Sequence, residues 1–143
     1  VAVQAVPRFL VVDDHPMNRL LVRQILQNNW KRCEIVEVDN GLKAVEALHH
    51  QNFDVVLMDM VMPEMDGIEA TRALRLNFDQ PTCDTPVLGL TANVNPHDLE
   101  RFTEAGVRAV VLKPFDAAKV CELVDAMLES VEAGRWVRTA TAG

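Results

Sequence analysis

Val55-Val56-Leu57-Met58-Asp59 is a run of four apolar residues that stops on an acid. It lacks the alternation of a strand with one wet face and is too short for a buried helix, so it reads as a strand covered on both sides. Runs at 9–12, 87–90 and 109–112 share that character, while the run at 35–38 is interrupted by Glu37 and suits a sheet edge. Between the runs, apolar residues recur at helical spacing. The sets are Met17, Leu21, Ile25 and Leu26; Leu42, Val45 and Leu48; Ile68, Thr71 and Leu74; and Leu99, Phe102 and Ala105. The most extended stripe is Val120, Leu123, Val124, Met127, Leu128 and Val131. Strand and helix alternate five times, which implies an α/β fold of βα repeats with right-handed crossovers.

The turns agree with this reading. Asn40-Gly41 marks the entry to the second helix, and Asp66-Gly67-Ile68-Glu69 pairs an N-cap acid with a glutamate three positions on. The polar segment 77–86 holds two prolines and reads as a surface loop. One domain is expected over 8–131, with 1–7 as a linker and 132–143, including Trp136, as a C-terminal tail or linker. The start at Val1-Ala2-Val3-Gln4, without Met or a targeting signal, is compatible with a piece of a longer polypeptide.

Composition narrows the classes. Of 143 residues, 49% are hydrophobic and 24% charged, the balance of an ordinary globular domain. No apolar run nears the roughly 18 residues that would cross a bilayer, so no direct membrane contact is expected. A net charge of -7 with scattered Lys and Arg argues against a nucleic-acid surface. Cys33, Cys83 and Cys121 are odd in number and widely spaced, which points to reduced thiols in the cytoplasm rather than disulfides or zinc. His15, His49, His50 and His97 lack metal-ligand spacing, and Met58, Met60, Met62 and Met65 read as packing residues.

The chemistry sits at strand ends. Asp13 and Asp14 follow the first run, Asp59 the third, Thr91 the fourth and Lys113 the fifth. Strand C-termini of a parallel sheet share one edge, where ligands bind at the reversal of strand order. Topology alone therefore gathers three carboxylates, a hydroxyl and an ammonium. Carboxylates crowded in this way call for a cation, and Mg²⁺, a hard ion bound by oxygens and phosphate, suits them. A carboxylate can also act as a nucleophile toward phosphorus, with the metal and a lysine neutralising the phosphoryl oxygens.

Leu10-Val11-Val12-Asp13-Asp14, the stretch from Leu57 through Asp59, Pro63 and Gly67, Leu90-Thr91-Ala92 and Lys113-Pro114-Phe115 together resemble the response-regulator receiver family over residues 8–131. The resemblance implies a flavodoxin-like (βα)5 three-layer sandwich with a parallel five-stranded sheet in order 2-1-3-4-5. It implies that Asp59 is the phosphoacceptor, that Asp14 and Asp59 ligate Mg²⁺ directly, that Asp13 acts mainly through water, and that the Val61 carbonyl completes the protein ligands. Thr91 would bond the phosphoryl oxygen, Lys113 would pair with it, and Lys113-Pro114 would be a cis peptide. Where many receivers carry Tyr or Phe, this chain has Val110, which leaves an aromatic switch behind Thr91 outside what the resemblance implies. Val61 and Asn93 occupy positions that tune phosphoryl lifetime in the family.

The stretch from Asp13 to Arg19, with Leu90 to Asn93, further resembles receivers of hybrid sensor histidine kinases. The implied partner is a histidine kinase or a histidine phosphotransfer domain, docked on the first helix and the loop after Lys113. The domain itself would be a monomer or weak dimer, cytoplasmic or held within a membrane-anchored sensor kinase. It would be no enzyme beyond its own phosphorylation and dephosphorylation.

The same residues admit other readings. Taken singly, Asp13 or Asp14 suits an N-cap, Lys113 a solvated charge and Thr91 a strand end. A stand-alone response regulator is the alternative context. An Asp-nucleophile phosphatase would carry a second acid two residues after the nucleophile, where this chain has Val61. A nucleotide-binding module would carry a glycine-rich turn after the first strand, where Asp13 and Asp14 would repel phosphates.

Overall fold

The computed structural model describes residues 6–92 and 95–132, with side chains to residue 129. The β strands β1 (Arg8–Val12), β2 (Glu34–Val38), β3 (Val55–Asp59), β4 (Val87–Thr91) and β5 (Ala109–Leu112) form a parallel sheet in the order β2-β1-β3-β4-β5. The helices between and after them are α1 (Pro16–Asn29), α2 (Gly41–His50), α3 (Gly67–Asn77), α4 (Pro96–Ala105) and α5 (Ala117–Glu132). The expected fold class and strand order are both found, and Glu37 does lie in an edge strand.

Period-two alternation sorts the strand residues between two cores. Phe9, Val11, Val55, Leu57, Leu88 and Leu90 pack with Val22, Ile25 and Leu26 of α1 and Val120 and Val124 of α5. Leu10, Val12, Val56 and Met58 face the other way, with Ala44 and Leu48 of α2, Ile68 and Leu74 of α3, and Phe102 of α4. Gly89 lies in this second face. A Cβ built there would stand 2.5 Å from Cε2 of Phe102, so the missing side chain is what lets that ring come close to β4.

Two helical stripes differ from their sequence reading. In α1 the buried set is Val22, Ile25 and Leu26, while Met17 is 71% exposed and Leu21 41%. A step of four residues advances about 40° around a helix, so Met17 and Leu21 drift off the face that Ile25 and Leu26 share. In α2, Gly41, Ala44 and Leu48 form the buried line and Leu42 turns outward, 54% exposed. The Val131 side chain, most of 1–7 and 132–143, Trp136 and Asn93 lie outside the described residues.

The caps follow the expected chemistry. Asn40 Oδ1 accepts from the Lys43 amide at 2.8 Å, and Asp66 and Glu69 form a reciprocal capping box. The 77–86 loop is braced more firmly than its composition suggests. It contains a 3₁₀ turn, Thr82–Asp84, and Arg75 of α3 reaches across it. One guanidinium nitrogen donates to the carbonyls of Cys83 (2.9 Å) and Thr85 (2.7 Å), and the other to Gly106 at the end of α4 (2.7 Å). Lys113-Pro114 is cis as expected, and so is Gln80-Pro81.

Candidate functional site

β1 and β3 are neighbours, but the chain leaves β1 for β2 on one side and enters β3 on the other. Their C-terminal ends therefore meet where strand order reverses, the position that leaves a crevice above a parallel sheet. Asp13 follows β1 there and Asp59 closes β3. Thr91 closes β4 one residue past Leu90, the register partner of Asp59, and Thr91 in turn pairs with Leu112, the residue before Lys113. The Lys113 amide donates to the Thr91 carbonyl at 2.9 Å.

All five side chains named from the sequence are at this rim. Carboxylate oxygens of Asp13, Asp14 and Asp59 lie within 4.8 Å of one another. The Lys113 Nζ donates to Asp59 Oδ1 at 3.1 Å and to Asp13 Oδ2 at 3.2 Å. Asp13 and Thr91 are buried and Asp59 is 5% exposed, whereas Asp14 faces solvent. Asp13 does not cap α1: His15 holds the N-cap position, and Asp13 Oδ1 accepts from the His15 amide at 2.9 Å. Val61, in the loop beyond Asp59, is 63% exposed. Val110 lies opposite Gly89 in β4, packed against the core shared with α2 and α4.

Electrostatics at the rim are unbalanced. Burial, then the Asp13 carboxylate, lifts the Asp59 carboxyl from 3.8 to about 6, and Lys113 offsets only part of that rise. Burial disfavours the Lys113 ammonium, yet Asp59 and Asp13 outweigh it and hold the amine above its ordinary value. Three acids thus face one amine, and the deficit of positive charge is what a divalent cation would fill. An all-oxygen donor set with one solvent-facing carboxylate suits Mg²⁺, which keeps several waters.

The loop from β3 to α3 is folded tightly over Asp59. The Gly67 amide donates to the Met60 carbonyl at 2.8 Å, and a Cβ on Gly67 would stand 2.1 Å from the Asp59 carbonyl oxygen. Glu64 takes a positive φ of 68° in the same loop, with the Met65 amide donating to the Pro63 carbonyl at 2.8 Å. The sequence reading gives Gly67 a place in a helix cap and in the family motif, but no close approach to the Asp59 backbone. It also gave no role to the contact of Arg19 with the acidic pair, where Nη1 donates to the Asp13 carbonyl at 2.6 Å. The available signal was Glu37, an acid inside an apolar strand that needed a cationic partner.

Comparison with known proteins bears on the chemistry. A family model described as the response regulator receiver domain matches residues 9–125. The chain is 35% identical over 119 residues to Sensor protein GacS of Pseudomonas syringae pv. syringae, covering 82% of this chain and 13% of GacS. It is 35% identical over 105 residues to Sensor protein EvgS of Escherichia coli strain K12, covering 73% of this chain and 8% of EvgS. The chain thus spans only a small part of the length of the curated relatives it matches. Among solved structures, it is similar to the receiver domain of sensor histidine kinase PA1611 from Pseudomonas aeruginosa PAO1. The TM-score is 0.77 at 29% identity, covering 87% of this chain and 99% of that one, and that structure has a magnesium ion coordinated in its active-site cleft.

Proposed function

The chain belongs to the response regulator receiver domain family, and on that footing we propose that Asp59 is its phosphoacceptor in a Mg²⁺-dependent phosphorelay. The supporting observation is the meeting of Asp13, Asp14 and Asp59 within 4.8 Å, with the Lys113 Nζ already on Asp59. In the reaction, an Asp59 carboxylate oxygen bonds to phosphorus as the bond from phosphorus to the donor histidine nitrogen breaks. The nitrogen keeps the electron pair, and an acyl phosphate is left on Asp59.

Asp14 and Asp59 would hold Mg²⁺ directly, Asp13 would act through water, and the Val61 carbonyl would complete the set. The bound ion supplies positive charge against the carboxylates and the phosphoryl oxygens. Lys113, tied also to Asp13, stays beside Asp59 to pair with the incoming phosphoryl group. Thr91, at the end of the neighbouring strand, supplies a hydroxyl to it. The added charge then draws Thr91, α4 and β5 into a new arrangement.

The parent chain is a hybrid sensor histidine kinase in this reading, since GacS and EvgS are both named sensor proteins. The partner is a histidine phosphotransfer domain, seated on the first turns of α1, where Met17, Leu20 and Leu21 are 71%, 45% and 41% exposed. No helix among the described residues is long and apolar enough to cross a membrane.

Incubation with Mg²⁺ and a small acyl-phosphate donor tests the core of this. Intact mass rises by one phosphoryl group in the wild type and does not change in Asp59→Asn. Equal modification of both proteins would move the acceptor elsewhere.

A further inference from the structure

Asp13 is held at every polar atom. Its amide donates to the Val38 carbonyl at 3.2 Å, its Oδ1 accepts from the His15 amide at 2.9 Å, and its Oδ2 accepts from Lys113 at 3.2 Å. The remaining atom, the carbonyl oxygen, accepts from Arg19 Nη1 at 2.6 Å. A peptide unit is planar, so fixing the Asp13 carbonyl also fixes the Asp14 amide and Cα, the base from which the Asp14 side chain leaves, and only φ of Asp14 turns between that plane and its Cβ. Asp14 itself is exposed. With little packing around it, its aim depends on that peptide plane.

Arg19 is oriented in turn. Its Nε lies 3.5 Å from Glu37 Oε1, and Arg23, one turn further along α1, pairs with Glu37 Oε2. The Arg19 and Glu37 side chains are 20% and 22% exposed, shielded enough for the pairing to hold a preferred geometry. Glu37 is the acid that interrupts the apolar run of the edge strand. Its placement is explained if its task is to steer Arg19 toward the β1–α1 loop.

We propose that Arg19, steered by Glu37, is a positioning residue for the metal site: it sets the Asp13–Asp14 peptide and so keeps the Asp14 carboxylate with those of Asp13 and Asp59. The inference rests on the Mg²⁺ reading above. It makes a prediction opposite in sign to simple electrostatics. Removing a cation beside an acidic cluster should tighten Mg²⁺ binding by charge alone, whereas losing the peptide anchor should weaken it.

Calorimetric titration of the metal-free protein with MgCl2 separates the two. Arg19→Met, which keeps the length of the side chain without its donors, is expected to raise the Mg²⁺ Kd on the order of tenfold. Arg19→Lys, able to make one of the two contacts, is expected in between, and it carries the comparison if Arg19→Met does not fold. Glu37→Gln should weaken binding in the wild-type background and add nothing in the Arg19→Met background. Equal or tighter binding by both Arg19 variants overturns the inference while leaving the Mg²⁺ site intact. A wild type that binds Mg²⁺ no better than Asp14→Asn overturns both the inference and the reading beneath it.

Discussion

The Lys113 Nζ lies 3.1 Å from Oδ1 of Asp59, a contact that spans 54 residues of sequence. The same amine reaches Asp13 at 3.2 Å, so one cation serves two buried acids. Burial, then the Asp13 carboxylate, raises the free energy of ionised Asp59, and the lysine compensates only part of that. Such a rim is built to receive more positive charge, and its behaviour with pH and metal follows from that.

The metal-free protein should lose stability as pH rises through Asp59's titration. The folded carboxyl is lifted from 3.8 to about 6, so folding favours the protonated form. That contribution is fully present below about 3.8 and is lost as pH passes about 6. Asp59→Asn, which is always neutral, should therefore be more stable than wild type at pH 7.5 by about 1–2 kcal/mol and gain little at pH 4. Urea denaturation in EDTA at the two pH values checks this, and a variant advantage that is the same at both would refute it.

Mg²⁺ should reverse the neutral-pH deficit. A ligand at ten times its Kd stabilises the folded state by about 1.4 kcal/mol. Thermal melts at pH 7.5 should show Tm rising with MgCl2 in the wild type and much less in Asp14→Asn. Equal rises would place the ion away from Asp14.

Arg75 should matter more than its surface-helix position suggests. Its guanidinium satisfies the carbonyls of Cys83, Thr85 and Gly106 at 2.7–2.9 Å, joining α3 to the loop before β4 and to the end of α4. Arg75→Ala should cost about 2–3 kcal/mol. Arg75→Lys should recover little, because one ammonium cannot reproduce a planar fork. Denaturant midpoints with unchanged slopes are the readout.

Gly89→Ala should destabilise by about 1–3 kcal/mol, because the new methyl would stand 2.5 Å from the Phe102 ring. Shortening the ring's reach with Phe102→Leu should relieve part of that, so the double variant should be more stable than the sum of the singles implies. Strict additivity would show that the ring moves aside freely.

Much of this molecule was legible before any coordinates. The strands β1, β3 and β4 are legible because strands buried on both faces are almost uniformly apolar, and α3 because Ile68, Thr71 and Leu74 keep one face. The 109–112 run reads the same way, yet β5 is the sheet's other edge, with Leu112 46% exposed. Helical spacing puts Met17, Leu21 and Leu42 on buried faces, yet all three are exposed. Periodicity shows that a helix is two-sided, but the angle at which it lies on the sheet decides where its apolar stripe leaves the core.

The candidate site divides along the same line. Local chemistry and strand order placed Asp13, Asp14, Asp59, Thr91 and Lys113 at one rim, because every strand of a parallel sheet ends on the same edge. The order of residues along the chain carries that information. Which oxygen Lys113 touches, how close Gly67 comes to the Asp59 carbonyl, and that Arg19 rather than any cap holds the Asp13 peptide are matters of ångströms across elements. Those distances are set by how the helices settle against the sheet, a many-body packing outcome that spacing along a sequence does not contain.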